Sequence, residues 1–181
     1  ESRTIKFYDP DQYPVKNAGA FVIDFIVKFQ TKYGAVKFGD TKEGGLLSVR
    51  VATQLDVEHQ PKGGRIENAR GGVCEDKTAE RNVWGRQAEW CDYSGMLNEK
   101  PVGVAILSHP SNPVSPTYWH VRAYGLMTAN PFGTSFFVSK LKKGTFKMKE
   151  NSETTWRYRL VVHNGLTKDA QLPAHYADFT K

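Results

Sequence analysis

The sequence predicts an all-β protein built as an antiparallel β-sandwich. Short apolar or alternating runs recur along the 181 residues, and turns containing many of the 16 glycines and 9 prolines separate them. The chain shows no long amphipathic helix pattern and no sequence repeat of fixed period. Strands that are short, numerous and separated in this way are typical of two antiparallel sheets packed face to face.

The two strongest strand patterns lie near opposite ends of the chain, at 21–29 and 154–163. In the first the odd positions are all apolar, and in the second the even positions from Trp156 to Val162 are apolar. Because successive side chains point to opposite sides of a strand, each segment presents one apolar face. We expect six of these residues in the core: Phe21, Ile23, Phe25, Trp156, Tyr158 and Leu160.

The remaining elements are predicted in chain order from weaker patterns. Further strands are expected over 3–8, 46–52, 85–95, 102–107, 118–124 and 126–130. The strands over 85–95 and 102–107 are expected to form a hairpin with its turn at 97–100. The polar, glycine-rich segment 56–84 is predicted to be a long loop containing at most a helical turn. A short helix is predicted over 169–179.

The charge and the apolar runs restrict the partners of the chain. The formal net charge is +6, and the densest basic run is Lys140, Lys142, Lys143, Lys147 and Lys149. Since no nucleic-acid motif accompanies this charge, we interpret the run as a solvated hairpin face and do not expect nucleic acid as a partner. The longest apolar runs, such as 20–23, are far too short to span a bilayer, so no membrane partner is expected.

The two cysteines and the start of the chain bear on the compartment. Cys74 and Cys91 match no metal or redox spacing, and they flank one loop. We favour a disulfide in an exported protein, although a loop thiol and a buried strand thiol fit the sequence as well. The chain begins at Glu1 without Met or a signal peptide, which indicates a processed form or part of a longer protein.

Side chains suited to chemistry are concentrated in residues 108–133. On a strand, Tyr118, His120 and Arg122 share one face, whereas the side chains between them point to the other. We predict that Tyr118 and Arg122 bind substrate, together with His109 and Asn130. His120 is predicted to be catalytic, because imidazole titrates near neutral pH and can exchange protons.

Acid-base chemistry on a sugar ring also needs a carboxylate. Asp40 and Glu43 lie on a charged loop beside a strand, and loops at sheet ends often carry function. We therefore predict both as catalytic partners of His120, with Asp92 as a third candidate. No metal site is predicted, since His109 and His120 are too far apart for a local ligand pair. The residues identify no cofactor.

Several segments together resemble one bacterial family. They are 38–44, 64–66, 84–86, 90–95, 109–112, 116–122 and 129–133. These segments resemble the family labelled "methane oxygenase, PmoA-like", over about residues 21–163. Members of that family extend further N-terminally and carry a His-His-Arg stretch there, which this sequence lacks. The resemblance therefore implies that the chain is the C-terminal part of a member, a single β-sandwich domain over residues 1–181.

The resemblance also implies a fold relationship and a class of ligand. The family looks like a β-supersandwich related to sugar mutarotases, which implies a sugar or sugar acid as the ligand. One hypothesis is a sugar-active enzyme in which Tyr118, His120 and Arg122 face the substrate. The alternative is a non-catalytic carbohydrate-binding or structural β-sandwich module. In either case a missing N-terminal segment or a partner chain is expected to complete the assembly.

Overall fold

Twelve strands form among the residues that the computed structural model describes, which are 1–15, 21–60 and 63–181. The first six are β1 (Ser2–Phe7), β2 (Phe21–Gln30), β3 (Val36–Phe38), β4 (Leu47–Arg50), β5 (Arg65–Asn68) and β6 (Val73–Cys74). The others are β7 (Trp90–Leu97), β8 (Lys100–Ser108), β9 (Trp119–Val121), β10 (Leu126–Ala129), β11 (Phe146–Met148) and β12 (Glu153–Asn164).

These strands form one large antiparallel sheet and two small ones. The large sheet has seven strands in the order β1-β2-β12-β8-β7-β5-β6. A three-stranded sheet has the order β4-β10-β9, and β3 pairs with β11 as a two-stranded ribbon. All of these pairings are antiparallel, so the predicted all-β sandwich is confirmed.

Helical structure is short. The α-helices are α1 (Thr134–Phe137) and α2 (Leu172–Phe179), and 3-10 helices cover Thr53–Leu55, Lys77–Asn82 and Thr167–Asp169. Helix α2, which the sequence predicted, packs Leu172 against Val22 and Val161 in a smaller apolar cluster of the large sheet. No helix of the described residues is long and apolar enough to cross a bilayer.

The main core contains apolar residues of the large sheet and of the three-stranded sheet. Trp156 and Tyr158 of β12 and Trp119 and Val121 of β9 are fully buried there. The indole Nε1 of Trp119 donates a hydrogen bond of 3.0 Å to the carbonyl oxygen of Ala88, so the ring also has its polar atom satisfied. Because Trp119 and Val121 face inward, the residue between them must face away from the core.

The core prediction is correct for Trp156 and Tyr158 of β12 and wrong for Phe21 at one end of β2. Phe21 is 58% exposed, and Ile23, Phe25 and Leu160 are only partly buried. Phe7 of β1, whose partner in the ladder is Ile23, is also exposed. Since only Val27 of the odd face of β2 is buried in the main core, the facing layer covers one end of this strand and leaves the other open.

The segment 56–84 was predicted to be a long loop with at most a helical turn; the helical turn is confirmed, but the loop prediction is wrong. It contains β5 and β6, which extend the large sheet, and the 3-10 helix Lys77–Asn82. The carboxylate of Asp76 caps this helix by accepting the backbone N–H groups of Thr78 and Ala79. Both strands are too short to show a convincing alternating pattern, because each has four residues or fewer.

The hairpin prediction is confirmed, whereas the favoured disulfide is not. Strands β7 and β8 pair around a two-residue turn in which Asn98 and Glu99 have φ values of 48° and 64°. Two consecutive positive φ values are typical of the type I′ turn, whose twist suits a hairpin. Cys74 and Cys91 are both buried and free.

Candidate functional site

The outward face of the three-stranded sheet carries a row of polar side chains. In the ladder His120 of β9 lies opposite Thr128 of β10, and Thr128 lies opposite Ser48 of β4. The Thr128 hydroxyl is 2.9 Å from the Ser48 hydroxyl, to which it donates a hydrogen bond. This face is polar because the alternating residues of the same strands, among them Trp119 and Val121, fill the core.

The two ring nitrogens of His120 have different surroundings. The indole Nε1 of Trp84 donates a hydrogen bond of 3.0 Å to His120 Nδ1. Because an indole N–H only donates, Nδ1 must be unprotonated, and the proton of the neutral ring lies on Nε2. Nε2 is 3.3 Å from Oε2 of Glu43, but the contact is not aligned as a hydrogen bond. His120 therefore holds a buried N–H donor without an aligned acceptor among the described residues.

The surroundings of His120 keep the ring neutral. Burial lowers the pKa of this imidazole, and the positive charges of Arg122 and Lys42 lower it further, although Glu43 opposes them. Protonation of Nδ1 would also break the hydrogen bond from Trp84. The geometry therefore favours His120 as a neutral hydrogen-bond donor that positions other groups. It does not favour the proton exchange that the sequence suggested.

Glu43 is the solvent-facing carboxylate of this site. Its side chain is 64% exposed, and Oε1 is 2.9 Å from the amino group of Lys42. The hydrogen bond from Lys42 lowers the pKa of the carboxyl, and the charges nearby, including that of Arg122, add to this effect. Glu43 is consequently ionised at neutral pH and available as a proton or hydrogen-bond acceptor.

Arg122 belongs to the same charged group but is already paired. Its Nε forms an ion pair with Oε1 of Glu80 at 2.9 Å, a contact that is not aligned as a hydrogen bond. The other carboxylate oxygen of Glu80 accepts the backbone N–H of Ala123 at 2.8 Å. Its guanidinium also lies 5.3 Å from the ring centroid of Tyr124. Glu80 was missed by the sequence analysis because it lies on the segment that was interpreted as a loop.

Aromatic rings form an apolar wall beside the polar row. Phe137 of α1 packs at 5.3 Å from Trp84 and 5.7 Å from Tyr118, measured between ring centroids. Its centroid is also 6.3 Å from the His120 ring, in a stacked arrangement.

The structure therefore brings Tyr118, His120, Arg122 and Glu43 together, as the alternation and the loop position predicted.

Asn130 does not bind substrate in the way that the sequence suggested. The residue is fully buried, and its Nδ2 donates hydrogen bonds of 2.9 Å to the carbonyl oxygens of Thr41 and Lys42. Its Oδ1 accepts the backbone N–H of Phe132 at 2.8 Å. Because these bonds use both polar atoms of the amide, Asn130 instead fixes the loop that carries Glu43.

Two other predicted site residues are not part of this arrangement. The buried Oδ1 of Asp40 has no hydrogen-bond partner among the described residues, and Asp40 is not among the charged groups that shift the pKa of His120. His109 lies on another surface, in a cavity of about 490 Å³ that it shares with Asp24 and Arg159. Its Nδ1 is 2.7 Å from the hydroxyl of Ser111. The expectation that His109 joins His120 is wrong, because the strand end that carries His109 faces this separate cavity.

Asp92 forms a different histidine-carboxylate pair. Its Oδ1 is 2.9 Å from Nε2 of His163, and its Oδ2 accepts a hydrogen bond of 2.6 Å from the hydroxyl of Thr167. All three residues are buried. Burial lowers the pKa of His163, but the hydrogen bond and charge of Asp92 outweigh it and raise this pKa above its ordinary value. The pair is a buried structural network.

The described part of the chain contains no group of three or more His, Cys, Asp or Glu side chains that could hold a metal ion. The site around Glu43 therefore offers acceptors, donors and aromatic rings as its recognition chemistry. These groups are suited to a polar ligand that also presents an apolar face, and Lys42 and Arg122 can accommodate a carboxylate on it.

Comparison with known proteins identifies the family. The model of a family of unknown function, DUF6807, matches residues 1–177. The chain belongs to this family. No curated protein and no solved structure matches the chain. The family match covers the loop of Glu43, the 3-10 helix of Glu80 and all three strands of the polar face.

Proposed function

We propose that the chain binds a sugar or sugar acid at the polar face around Glu43 and acts on it by acid-base chemistry. The observation that carries this proposal is the pair formed by the exposed Glu43 carboxylate and the buried Nε2–H of His120. The carboxylate is ready to accept a proton or hydrogen bond, and the N–H lacks an aligned acceptor. A ligand oxygen that displaces the exposed Glu43 side chain from this position would satisfy the donor and could accept from it in place of the carboxylate.

A sugar matches the other groups of the site. One face of a pyranose ring is formed largely by C–H groups and can pack on Tyr118 and the aromatic wall, while its hydroxyls bond to polar groups. Glu43 is the base candidate for removing a hydroxyl proton. Lys42 and Arg122 would stabilise the negative charge that develops on the sugar oxygen during that transfer.

We also propose that the sandwich is part of a larger, mutarotase-like supersandwich and is the C-terminal part of a PmoA-like protein. The exposed end of the large sheet supports this proposal. Phe7 is 72% exposed and Phe21 58% exposed. The partly buried Ile23 and Leu160 continue the row of Phe7 across the neighbouring strands β2 and β12. A second segment or a partner chain would cover this apolar surface.

The second candidate is a carbohydrate-binding module without catalysis. It is supported by the coverage of His120, which is only 1% exposed, because a sugar would first meet Glu43, Tyr118 and Arg122. The two candidates differ in what Glu43 does. An enzyme needs its carboxylate for turnover, whereas a binding module uses it only as one hydrogen-bond acceptor among several.

The test is binding and turnover of a panel of mono- and disaccharides and sugar acids, followed by NMR. We expect chemical-shift changes at Tyr118 and His120 in the wild type. Glu43→Gln is expected to abolish turnover while weakening binding less than tenfold, because a carboxamide keeps one acceptor oxygen but is not a base. Glu99→Gln, in the exposed hairpin turn, is the matched control and should change neither.

Three outcomes separate the candidates. Turnover that depends on Glu43 supports the enzyme. Binding without turnover in the wild type supports the module. If the wild type binds none of the sugars, or if His120→Ala and Arg122→Ala fold normally and bind as well as the wild type, the site assignment is wrong.

A further inference from the structure

A projecting loop lies beside the proposed sugar site. We call residues 134–143 the basic loop; it consists of α1 and a turn closed by the hydrogen bond from Lys142 N–H to the carbonyl oxygen of Ser139. Its two ends are held together at Gly144, where an added Cβ would lie 2.4 Å from the carbonyl oxygen of Phe132 and 2.6 Å from the backbone nitrogen of Thr134. The loop is thus anchored at its base and open to solvent beyond it.

Three apolar side chains of the basic loop are unusually exposed to solvent. Phe136 is 50% exposed, Val138 48% and Leu141 95%. Between and after them lie three exposed lysines, Lys140, Lys142 and Lys143. None of these lysines forms an ion pair with another described residue. The loop therefore presents apolar area and uncompensated positive charge on one short segment, which is the composition of a binding surface.

The basic loop also borders an open hollow at the surface. Its volume is about 530 Å³, and it is lined by Ser135, Phe136, Val138, Ser139 and Lys140. This volume lies within the usual range for sites that hold small molecules. The lining combines an aromatic ring, two hydroxyls and one cationic amino group, which are the groups that recognise a sugar ring with an acidic substituent.

An independent feature next to the loop indicates an anionic ligand. In the ribbon that follows it, Lys147 of β11 lies directly opposite Lys37 of β3, and both are exposed. Like charges at directly opposed positions of an antiparallel pair destabilise it. Neither lysine pairs with a carboxylate of the described residues. The two lysines therefore add unpaired positive charge in the ribbon that directly follows the basic loop, and an anion would neutralise it.

One residue of the basic loop also belongs to the wall of the Glu43 site. Phe137 follows Phe136 in α1, and its ring packs against Tyr118, His120 and Trp84. A chain of sugar units bound at Tyr118 would therefore meet the basic loop after passing this ring. The basic loop would then serve as a neighbouring subsite. A single monosaccharide bound at the site of Glu43 would not reach it.

We propose that the basic loop and Lys147 bind the acidic substituents of an oligosaccharide whose adjacent unit occupies the site of Glu43. The ligand class is an oligosaccharide that carries carboxylates, and this inference rests on the proposed function. Phe136 stacks on one sugar ring, and Lys140 with the neighbouring lysines pairs with its carboxylates. The open hollow, with the hydroxyls of Ser135 and Ser139 in its lining, favours a saccharide over a flat anionic surface.

The experiment compares the affinities of trigalacturonate and the neutral maltotriose for the protein by calorimetry. We expect tighter binding of trigalacturonate, with an affinity that falls as salt rises. Phe136→Ala should weaken it about three- to tenfold, since an aromatic contact contributes about 0.5–1.5 kcal/mol. Lys140→Gln should weaken it about two- to fivefold, as expected for an exposed charge pair worth up to about 1 kcal/mol. Lys168→Gln, which removes an equal charge from an exposed site on another surface, is the matched control and should have no effect.

Several results would overturn the inference. If maltotriose binds as tightly as trigalacturonate, the acidic subsite is absent, although the site of Glu43 survives. Should neither bind, both the subsite and the proposed function fail. Phe136-dependent binding to vesicles of equimolar phosphatidylcholine and phosphatidylglycerol, without oligosaccharide binding, would assign the loop to an anionic bilayer. If Lys140→Gln and Lys168→Gln weaken binding equally, the effect is one of net charge and not of a subsite.

Discussion

The substitution Asn130→Asp tests how the loop that carries Glu43 is held in place. The side chain of Asn130 donates two hydrogen bonds to the carbonyl oxygens of Thr41 and Lys42 and accepts one from Phe132. An aspartate would keep the acceptor and replace the donating nitrogen by an oxygen that faces two carbonyl oxygens. Losing two bonds worth about 1 kcal/mol each, and burying a charge without partners, predicts a loss of about 3–5 kcal/mol at neutral pH.

The pH dependence of this loss distinguishes a hydrogen-bond clamp from simple packing. The introduced carboxyl is buried and unpaired, so its pKa should be raised, and in acid it becomes a neutral group that can donate one hydrogen bond. We therefore expect the difference in free energy of unfolding from wild type to shrink to about 1–2 kcal/mol at about pH 4.5. The assay is urea denaturation followed by tryptophan fluorescence at both pH values, with the exposed Asn98→Asp as the control.

A loss below about 1 kcal/mol that is the same at both pH values would refute this account of the clamp. In that case the loop of Glu43 would be held by packing or by backbone contacts such as the bond from Thr41 N–H to the Phe132 carbonyl oxygen. The control should stay within about 0.5 kcal/mol of wild type at either pH, because its side chain is exposed.

Two further predictions concern charged pairs. Because the pKa of His163 is raised, its pairing with Asp92 stabilises the fold below about pH 6.5, and this contribution is lost as the pH rises through the pKa of the folded state. Asp92→Asn should therefore lower the free energy of unfolding more at pH 6 than at pH 9, as measured by urea denaturation. An equal loss at both pH values would contradict the pairing. Lys147→Glu should raise the free energy of unfolding by about 0.2–1 kcal/mol at low salt, because the new carboxylate would face Lys37. Lys142→Glu, in a turn without a cross-strand partner, is the control and should change this free energy less. A destabilised Lys147→Glu protein would refute the repulsion between Lys147 and Lys37.

The fold class could be predicted from the sequence because period-2 patterns and turn residues are local signals. The strand that contains Trp156 and the strand that contains Val27 were found in this way, and so was the hairpin around Asn98. What the pattern could not supply was the extent of the facing sheet. Phe21 belongs to an apolar strand face, but its burial depends on whether another layer reaches it.

The candidate site could be predicted only in part, for a similar reason. Alternation along the predicted strand 118–124 placed His120 and Arg122 on one face, since that needs only the geometry of a single strand. The partners of these residues depend on contacts far apart in sequence. Trp84 and Glu80 come from the segment whose strands are too short to be recognised, so the analysis could not see that they fix the His120 ring and the Arg122 guanidinium.

Asn130 and His109 show the limit of reading function from residue type. Each is a polar residue in the same dense stretch as His120, yet one is fully used in holding a loop and the other lies in a different cavity. Sequence proximity could not separate them, because the chain reverses direction between strands at several points within that stretch. The distinction follows from hydrogen-bond partners, which only the folded structure shows.

The most direct test of the site is the protonation state of His120, measured by long-range proton–nitrogen NMR at neutral pH. The structure predicts a neutral ring with the proton on Nε2 and an unprotonated Nδ1 that accepts the Trp84 indole N–H. Adding a sugar that binds should shift the Nε2 resonance, because a ligand oxygen would become the acceptor of the Nε2–H. A proton on Nδ1, or a fully protonated imidazolium, would contradict the Trp84–His120–Glu43 arrangement on which the proposed function rests.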